Sequence, residues 1–527
     1  MKYENYYMDE YAKQALEEYN SEDKTVRQGG KDGKLYWNIN SSQFIYAPKF
    51  LFPEIPGADR YIYTVTDSNK NIFTFTDATP WAQLTPIWKD IAVGIAELKV
   101  EAVVEKLNAT YLTGARTFYK SAPFPGRGAL PERACSYKEC AQKALDYVFN
   151  DEVTRYWLEH GKPDPEYYHN VYPSKMISSI VYAMIAYAEL EPKNAKDALK
   201  IATNATDYLI SITYDENSKM YGVPPTYSFK GLNKEIVDKT APAADGRKDT
   251  VMMIYPATVG SMYLRLEKVT GNSKYFEAAK KIAEYYKNNV LENGSWYLLI
   301  NEKTGINESF NCCVSFSILE FLNNYYKRTG EECWHKLETD YFAYLKKLSL
   351  ENYNWEGQFE DIGLSGNYRN LTHIEADKII CYVTENFVND EKNMSDAIEL
   401  IRYVEDQFVV WGDFAPWNPH YHPGKMVWYS PAGLEQYFWY VPIDASTSMI
   451  MRAFISLYKA TDNKLYLEKA CALGDSITRM QDTESGVIPT HWMKEDCAEN
   501  LENFWINCHI GTTFGMMELA KTVGEIH

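Results

Sequence analysis

Three stretches of this 527-residue chain set carboxylates beside aromatic rings. Trp355-Glu356-Gly357-Gln358-Phe359-Glu360-Asp361 joins three acids to a tryptophan and a permissive glycine. Asp413 follows Trp411-Gly412, and Glu435 precedes Gln436-Tyr437, with Trp439 close behind. An acid against an aromatic wall is desolvated, and its pKa rises toward the range of a general acid. Glycosidic cleavage needs two such groups, one to protonate the leaving oxygen and one to act as base or nucleophile. Glu360 and Glu435 are expected to form that pair, with Asp413 as the closest substitute for either. Each acid also has a plainer use as a helix cap or solvated loop charge, and Asp361 suits an Asx-type turn.

Tryptophan and histidine gather in the same regions. Trp157, Trp296, Trp355, Trp411, Trp417, Trp428, Trp439 and Trp492 fall in long connections, and Trp505 falls in the first turn of a helix. His160, His169, His420, His422 and His491 also lie in connections, while His373 and His509 lie in first turns. Such loops can simply pack over a core, because Trp needs burial and a partner for its N–H. Converging with carboxylates on one face, they have the composition of a carbohydrate cleft. Trp355, Trp428, Trp439, His169, Tyr255, His373 and His509 are therefore candidate substrate contacts. Arg247 and Arg369 end long connections, Lys175 sits in a helical first turn, and Lys425 lies in a third connection. An Arg fork suits a carboxylate, so these cations fit an acidic sugar, with salt bridges to loop acids as the competing use. His420-Tyr421-His422 with Asp413 is a weak zinc pattern. Cys312-Cys313 is another, but adjacent helical cysteines diverge by about 100°. No H-E-x-x-H or CxxC frame supports either, and neither a metal nor a cofactor is expected.

The elements that position these groups are of two kinds. Residues 1–130 hold a short helix near Met8–Tyr19 and then alternating runs at 34–38, 60–66, 71–76, 95–103 and 110–119. These predict an antiparallel β-sandwich domain. Residues 131–527 change to a 3.6-residue period. Twelve helices are predicted, at 136–151, 172–190, 194–213, 250–269, 273–290, 308–328, 332–349, 370–389, 393–410, 440–461, 464–481 and 504–523. Those starting near 172, 250, 308, 370, 440 and 504 are apolar nearly all round, and those between them carry a Lys/Glu face. The turn after the apolar kind repeats as Val269-Thr270-Gly271-Asn272, Arg328-Thr329-Gly330-Glu331 and Ala460-Thr461-Asp462-Asn463. Six hairpins of this sort can close into a ring, with apolar helices inside.

That pattern resembles the six-hairpin glycosidase superfamily, whose members are (α/α)6 toroids, often with an N-terminal β-domain. Within it, WEGQFED (355–361) and EQYFWYVPIDAS (435–446) look like a bacterial glycoside hydrolase family associated with β-glucuronidase activity. The resemblance implies a mainly α, enzymatic chain that hydrolyses a small oligosaccharide and releases a uronic acid. Three alternatives stay open. A toroid epimerase or isomerase would use His373 and His509 as proton carriers. A uronate lyase would draw on Tyr255, Arg247 and His169. A binding protein would need the aromatics without paired acids.

Composition bounds the partners. The formal charge is −18, with 46% hydrophobic and 24% charged residues. A chain this acidic repels phosphate, which argues against nucleic acid and anionic membranes. No run of about 18 apolar residues suggests a membrane span. The opening MKYENYYMDEYAK lacks the apolar stretch of a secretory leader, and nine cysteines show no disulfide spacing. Reduced thiols in a cytoplasmic protein are expected.

Overall fold

The structure is a computed structural model that describes residues 9–21, 30–31, 34–35, 41, 43–240, 249–351, 357–359, 372–412, 429–437, 440–492 and 504–526. Its helices are α1 (Glu10–Tyr19), α2 (Thr85–Trp88), α3 (Tyr137–Asn150), α4 (Glu152–His160), α5 (Pro173–Leu190), α6 (Ala195–Ile212), α7 (Lys234–Thr240), α8 (Tyr255–Thr270), α9 (Ser273–Asn288), α10 (Phe316–Thr329), α11 (Glu332–Leu345), α12 (Ile374–Asn386), α13 (Glu391–Phe408), α14 (Asp444–Thr461), α15 (Lys464–Met480) and α16 (Ile506–Thr522).

All twelve predicted toroid helices are present. The apolar set α5, α8, α10, α12, α14 and α16 forms the inner ring, each packed on the next, and α16 closes against α5. The amphipathic set α6, α9, α11, α13 and α15 packs outside on its inner partners, and α3 fills the last outer position against α16. Amphipathic helices bury one stripe and sit at the periphery, whereas helices apolar on most faces need neighbours on both sides.

The repeated turn explains how three of the six hairpins reverse. Gly271, Gly330 and Asp462 take left-handed backbone, with φ of 67°, 71° and 57°. In each copy the preceding threonine hydroxyl donates back one helical turn: Thr270 to Leu266 O (2.7 Å), Thr329 to Tyr325 O (3.1 Å) and Thr461 to Leu457 O (2.7 Å). The same hydroxyl oxygen accepts the N–H two residues on, at 3.3 Å in all three. Asn272 and Asn463 then cap the next helix by accepting from Lys274 N and Leu465 N. One short motif thus ends a helix, reverses the chain and starts its partner.

The N-terminal β-domain is present too. Its strands are β1 (Gly30–Lys31), β2 (Lys34–Leu35), β3 (Gln43–Phe44), β4 (Arg60–Thr66), β5 (Ile72–Asp77), β6 (Gly94–Val104) and β7 (Ala109–Lys120). β3 to β7 form a single five-stranded sheet in the order β3-β7-β6-β4-β5, antiparallel except for β3 with β7. β1 and β2 pair antiparallel as a separate two-stranded sheet. Tyr61, Tyr63, Val65, Leu98, Val100 and Phe118 bury one face of the sheet. Phe50 and Trp88 cover Phe118 at ring distances of 5.7 and 5.9 Å. Alternation reports that a strand is half buried, not what buries it.

A buried polar junction ties this domain to the ring. Glu405, Asp406 and Gln407 end α13 with almost no exposure. Glu405 accepts from Tyr19 Oη of α1 (2.5 Å), Trp411 Nε1 (2.9 Å) and Lys469 Nζ of α15 (2.7 Å). Asp406 Oδ1 accepts Ile45 N and Tyr46 N at 2.7 and 2.8 Å, and burial pushes its carboxyl up to about 7. Gln407 Nε2 donates to Gln43 O, and its Oε1 accepts from Ser41 and Tyr437.

The turn geometry gives a direct test. A Cβ at Gly271 meets nothing within 4 Å, so Gly271→Ala carries only backbone strain. It should cost about 1 kcal/mol, while Asp462→Gly, which relieves the same strain, should add about 0.5–1 kcal/mol. Denaturant midpoints of both variants against wild type measure this.

Candidate functional site

The long connections from outer to inner helices lie on one face of the ring, which is its mouth. Two further strands, β8 (Thr250–Met252) and β9 (Leu299–Asn301), pair antiparallel there beside the starts of α8 and α10. At the start of α10, Gln358 from the WEGQFED stretch accepts from Val314 N and donates to Cys312 O, both at 2.8 Å. Between α12 and α14, Glu435 is partly exposed on a clamped strand. Thr372 Oγ1 donates to Glu435 O (3.0 Å), Glu435 N donates to Val441 O (3.1 Å), and Thr372 bridges Gln436. Residues just before two adjacent inner helices therefore hold the backbone of Glu435 from both sides.

Two buried acids stand beside it. His373 Nδ1 lies 2.5 Å from Asp377 Oδ2. Burial raises the Asp377 carboxyl, against the pull of His373. His373 Nε2 and Asp377 Oδ1 have no hydrogen-bond partner among the described residues. Asp444, the first residue of α14, is fully buried and accepts from Thr512 Oγ1 of α16 at 2.9 Å. Burial holds its carboxyl well above the usual range, and the nearby Glu435 adds to the effect. Asp444 was not singled out in the sequence. Its signal is an acid at the first position of an otherwise apolar helix.

Across the ring, His169 sits between aromatic faces, with ring centroids 3.9 Å from both Tyr168 and Trp505. Its Nδ1 is 2.9 Å from Tyr167 Oη. Lys175 Nζ lies 5.1 Å above the Trp505 ring, a cation–π arrangement at the start of α5. Tyr255, the first residue of α8, is partly exposed. Of the expected contacts, His169 and Lys175 thus converge on Trp505, whereas His373 is fully buried against Asp377 and Phe408.

His509 does not join them. Its Nδ1 accepts from Ile488 N (3.2 Å), and its Nε2–H donates to Ala144 O (3.0 Å). Both ring nitrogens are spent on backbone in a fully buried site, so neither is left for a sugar. The connection tryptophans are corrected similarly. Trp157, Trp296, Trp411 and Trp492 are buried, and the last three donate to Tyr286 O, Glu405 Oε1 and Pro489 O. They pack the loops over the ring and do not face a cleft. Glu360, Asp413, Trp355, Arg369, Arg247, Trp428 and Trp439 lie outside the described residues, as do His420 and His422.

The inner helices also hold an unexpected feature. Each is buried on three sides but carries one partly exposed stripe at i, i+3/i+4 and i+7. The stripes run through Lys175, Ser179 and Tyr182 on α5, Thr258 and Arg265 on α8, and Ser317 and Glu320 on α10. They continue through Lys378, Cys381 and Glu385 on α12, Arg452 and Lys459 on α14, and Gly511, Phe514 and Glu518 on α16. Contacts between helices show that the stripes face one axis. Arg452 Nε donates to Glu518 (2.9 Å), Lys459 Nζ to the same carboxylate (3.2 Å), and Arg265 to Glu189 of α5 (2.9 Å). Burial raises the Glu320 carboxyl, while Lys378 and Arg452 from two other helices lower it. The ring thus carries a partly exposed, charged lining along its axis.

No family model and no curated protein matches the chain. Solved structures do. A D-mannose isomerase superimposes with a TM-score of 0.50 at 11% identity, over 73% of this chain and 97% of that one. The fold is the six-hairpin toroid. A cellobiose 2-epimerase from Spirochaeta thermophila gives 0.49 at 12% identity, over 74% of this chain and 98% of that one. A family 76 glycoside hydrolase from a bovine Bacteroides thetaiotaomicron strain gives 0.45 at 11% identity, over 92% of this chain and 98% of that one. A polysaccharide lyase gives 0.45 at 10% identity, over 92% of this chain and 65% of that one. At these identities the likeness establishes the fold and leaves the reaction to the site.

The spent histidine predicts a pH effect. Burial lowers His509 to about 4, below the unfolded value of about 6.5. Its contribution to stability is full above about pH 6.5 and is lost as pH falls through 4. His509→Asn should flatten the acid limb of a stability–pH curve measured by chemical denaturation.

Proposed function

We propose that the chain is a glycoside hydrolase that acts on a small oligosaccharide and releases a uronic acid residue. The observation that carries this reading is Glu435. It is a partly exposed acid whose backbone is clamped between the segments that lead into two inner helices, near axial stripes that carry hydroxyls and cations. Glu435 serves as one member of the catalytic pair and Glu360 as the other, with Asp413 as the alternative partner. One donates a proton to the leaving oxygen, and the other acts as base or nucleophile. Gln358, two residues before Glu360, is anchored at the start of α10, which supports placing the WEGQFED stretch at this mouth. Trp505, backed by His169 and topped by Lys175, offers a ring face for a pyranose. Trp355, Tyr255, Trp428 and Trp439 complete the proposed wall, His373 lies buried behind it, and Arg247 and Arg369 are proposed to meet the uronate.

One observation favours a second reading. The His373–Asp377 pair is the arrangement of an oriented imidazole base, which an epimerase would use. A two-histidine mechanism would need another proton carrier, because His509 is committed to backbone.

An NMR time course with a panel of uronic-acid disaccharides separates cleavage, elimination and epimerisation in one assay. Hydrolysis is expected. Glu435→Gln and Glu360→Gln should each keep the thermal midpoint and lose at least about a hundredfold in turnover. Normal turnover in both variants, with loss in His373→Gln, would replace the hydrolase with the epimerase.

A further inference from the structure

The axial stripes carry five described cations, and four are engaged by a carboxylate within 3.2 Å or by an aromatic ring; Lys459 is bonded to Glu518 at 3.2 Å. Arg452 is bonded to Glu518 at 2.9 Å, and Arg265 to Glu189 at 2.9 Å. Lys175 lies over Trp505. Lys378 differs. Its nearest carboxylate oxygen among the described residues, Glu375 Oε1, is 3.5 Å away, and its side chain is 32% exposed. The other oxygen of Glu375 accepts from Phe316 N at the start of α10, which holds that carboxylate toward its neighbour helix.

Position selects Lys378 as well. It stands four residues into α12, so about 6 Å below the helix start at 1.5 Å per residue, whereas Arg452 stands eight residues into α14, about 12 Å down. A sugar lowered along the axis from the mouth, with its scissile bond at Glu435, brings its terminal unit to Lys378 before it reaches Arg452. The stripe geometry points Lys378 at the axis: it shares one helix face with Cys381 and Glu385, and it acts on Glu320 of the neighbouring helix α10.

We propose that Lys378 is the residue that selects an acidic sugar, by pairing its ammonium with the carboxylate of a terminal uronate held at the ring axis. This deepens the hydrolase reading and rests on its uronate substrate. Glu375 and Glu320 are the competing anions, so the site binds a carboxylate by exchange of a loose pair. A neutral sugar gains nothing from that exchange, so Lys378 acts on selectivity and leaves sugar affinity in general unchanged.

Calorimetric titration of the full chain with methyl β-D-glucuronide and methyl β-D-glucoside tests this. Wild type should bind the glucuronide more tightly. Lys378→Met keeps the aliphatic stem and should weaken the glucuronide at least about tenfold, with the glucoside within about twofold. Lys378→Arg should restore most of the loss, and Glu375→Gln, which removes a competing anion, should tighten the glucuronide. An unchanged thermal midpoint in Lys378→Met excludes misfolding as the cause. Equal losses for both sugars, or undiminished acid preference in Lys378→Met, would overturn the role of Lys378 while leaving the uronate reading intact. A wild type that does not prefer the glucuronide would overturn the uronate reading itself.

Discussion

Six helices that close into a ring cannot fill their own centre. Each inner helix meets two inner neighbours and one outer partner, and those contacts bury three of its sides. The fourth side faces the axis, where the opposite wall is too far to touch. This constraint produces the single partly exposed stripe on every inner helix. It also permits charges in helices that otherwise read as apolar. Glu320, Lys378, Arg452 and Glu518 are tolerated because they meet each other and water, not hydrocarbon. The charged lining, and the functional face above it, are consequences of closure.

Closure leaves the loops over the mouth to be held by other means, and buried polar groups do this. Glu405 takes three donors from α1, α15 and its own connection, so the charge of the Lys469–Glu405 pair is compensated inside the protein. A pair like this adds little net stability, but losing one partner is costly. Asp406 and Gln407 bind the backbone that leads into the β-domain, and Gln407 also meets Tyr437, two residues past Glu435. The junction therefore links the placement of the β-domain to the strand that carries the candidate carboxylate. The same logic explains three of the buried tryptophans: the N–H of Trp296, Trp411 and Trp492 finds an acceptor within its own loop or the helix beneath, and these loops become part of the core.

The periodicity of the chain was enough to determine the twelve helices, their inner and outer sorting and the turns between them. These depend on local order: a 3.6-residue repeat, a threonine that bonds one turn back, and a residue that accepts left-handed backbone. Glu435 could be proposed as a site residue because an acid among aromatics is a local pattern. Tertiary structure alone decided the rest. The layer beneath the sheet is a loop and a short helix, since alternation marks a buried face without naming its cover. His509 was indistinguishable from a proton carrier until Ala144 and Ile488, remote in sequence, took both its nitrogens. Lys378 looked like an ordinary helical lysine until ring closure turned its face to the axis. Which groups meet across a closed ring depends on contacts between distant residues, and local pattern does not encode them.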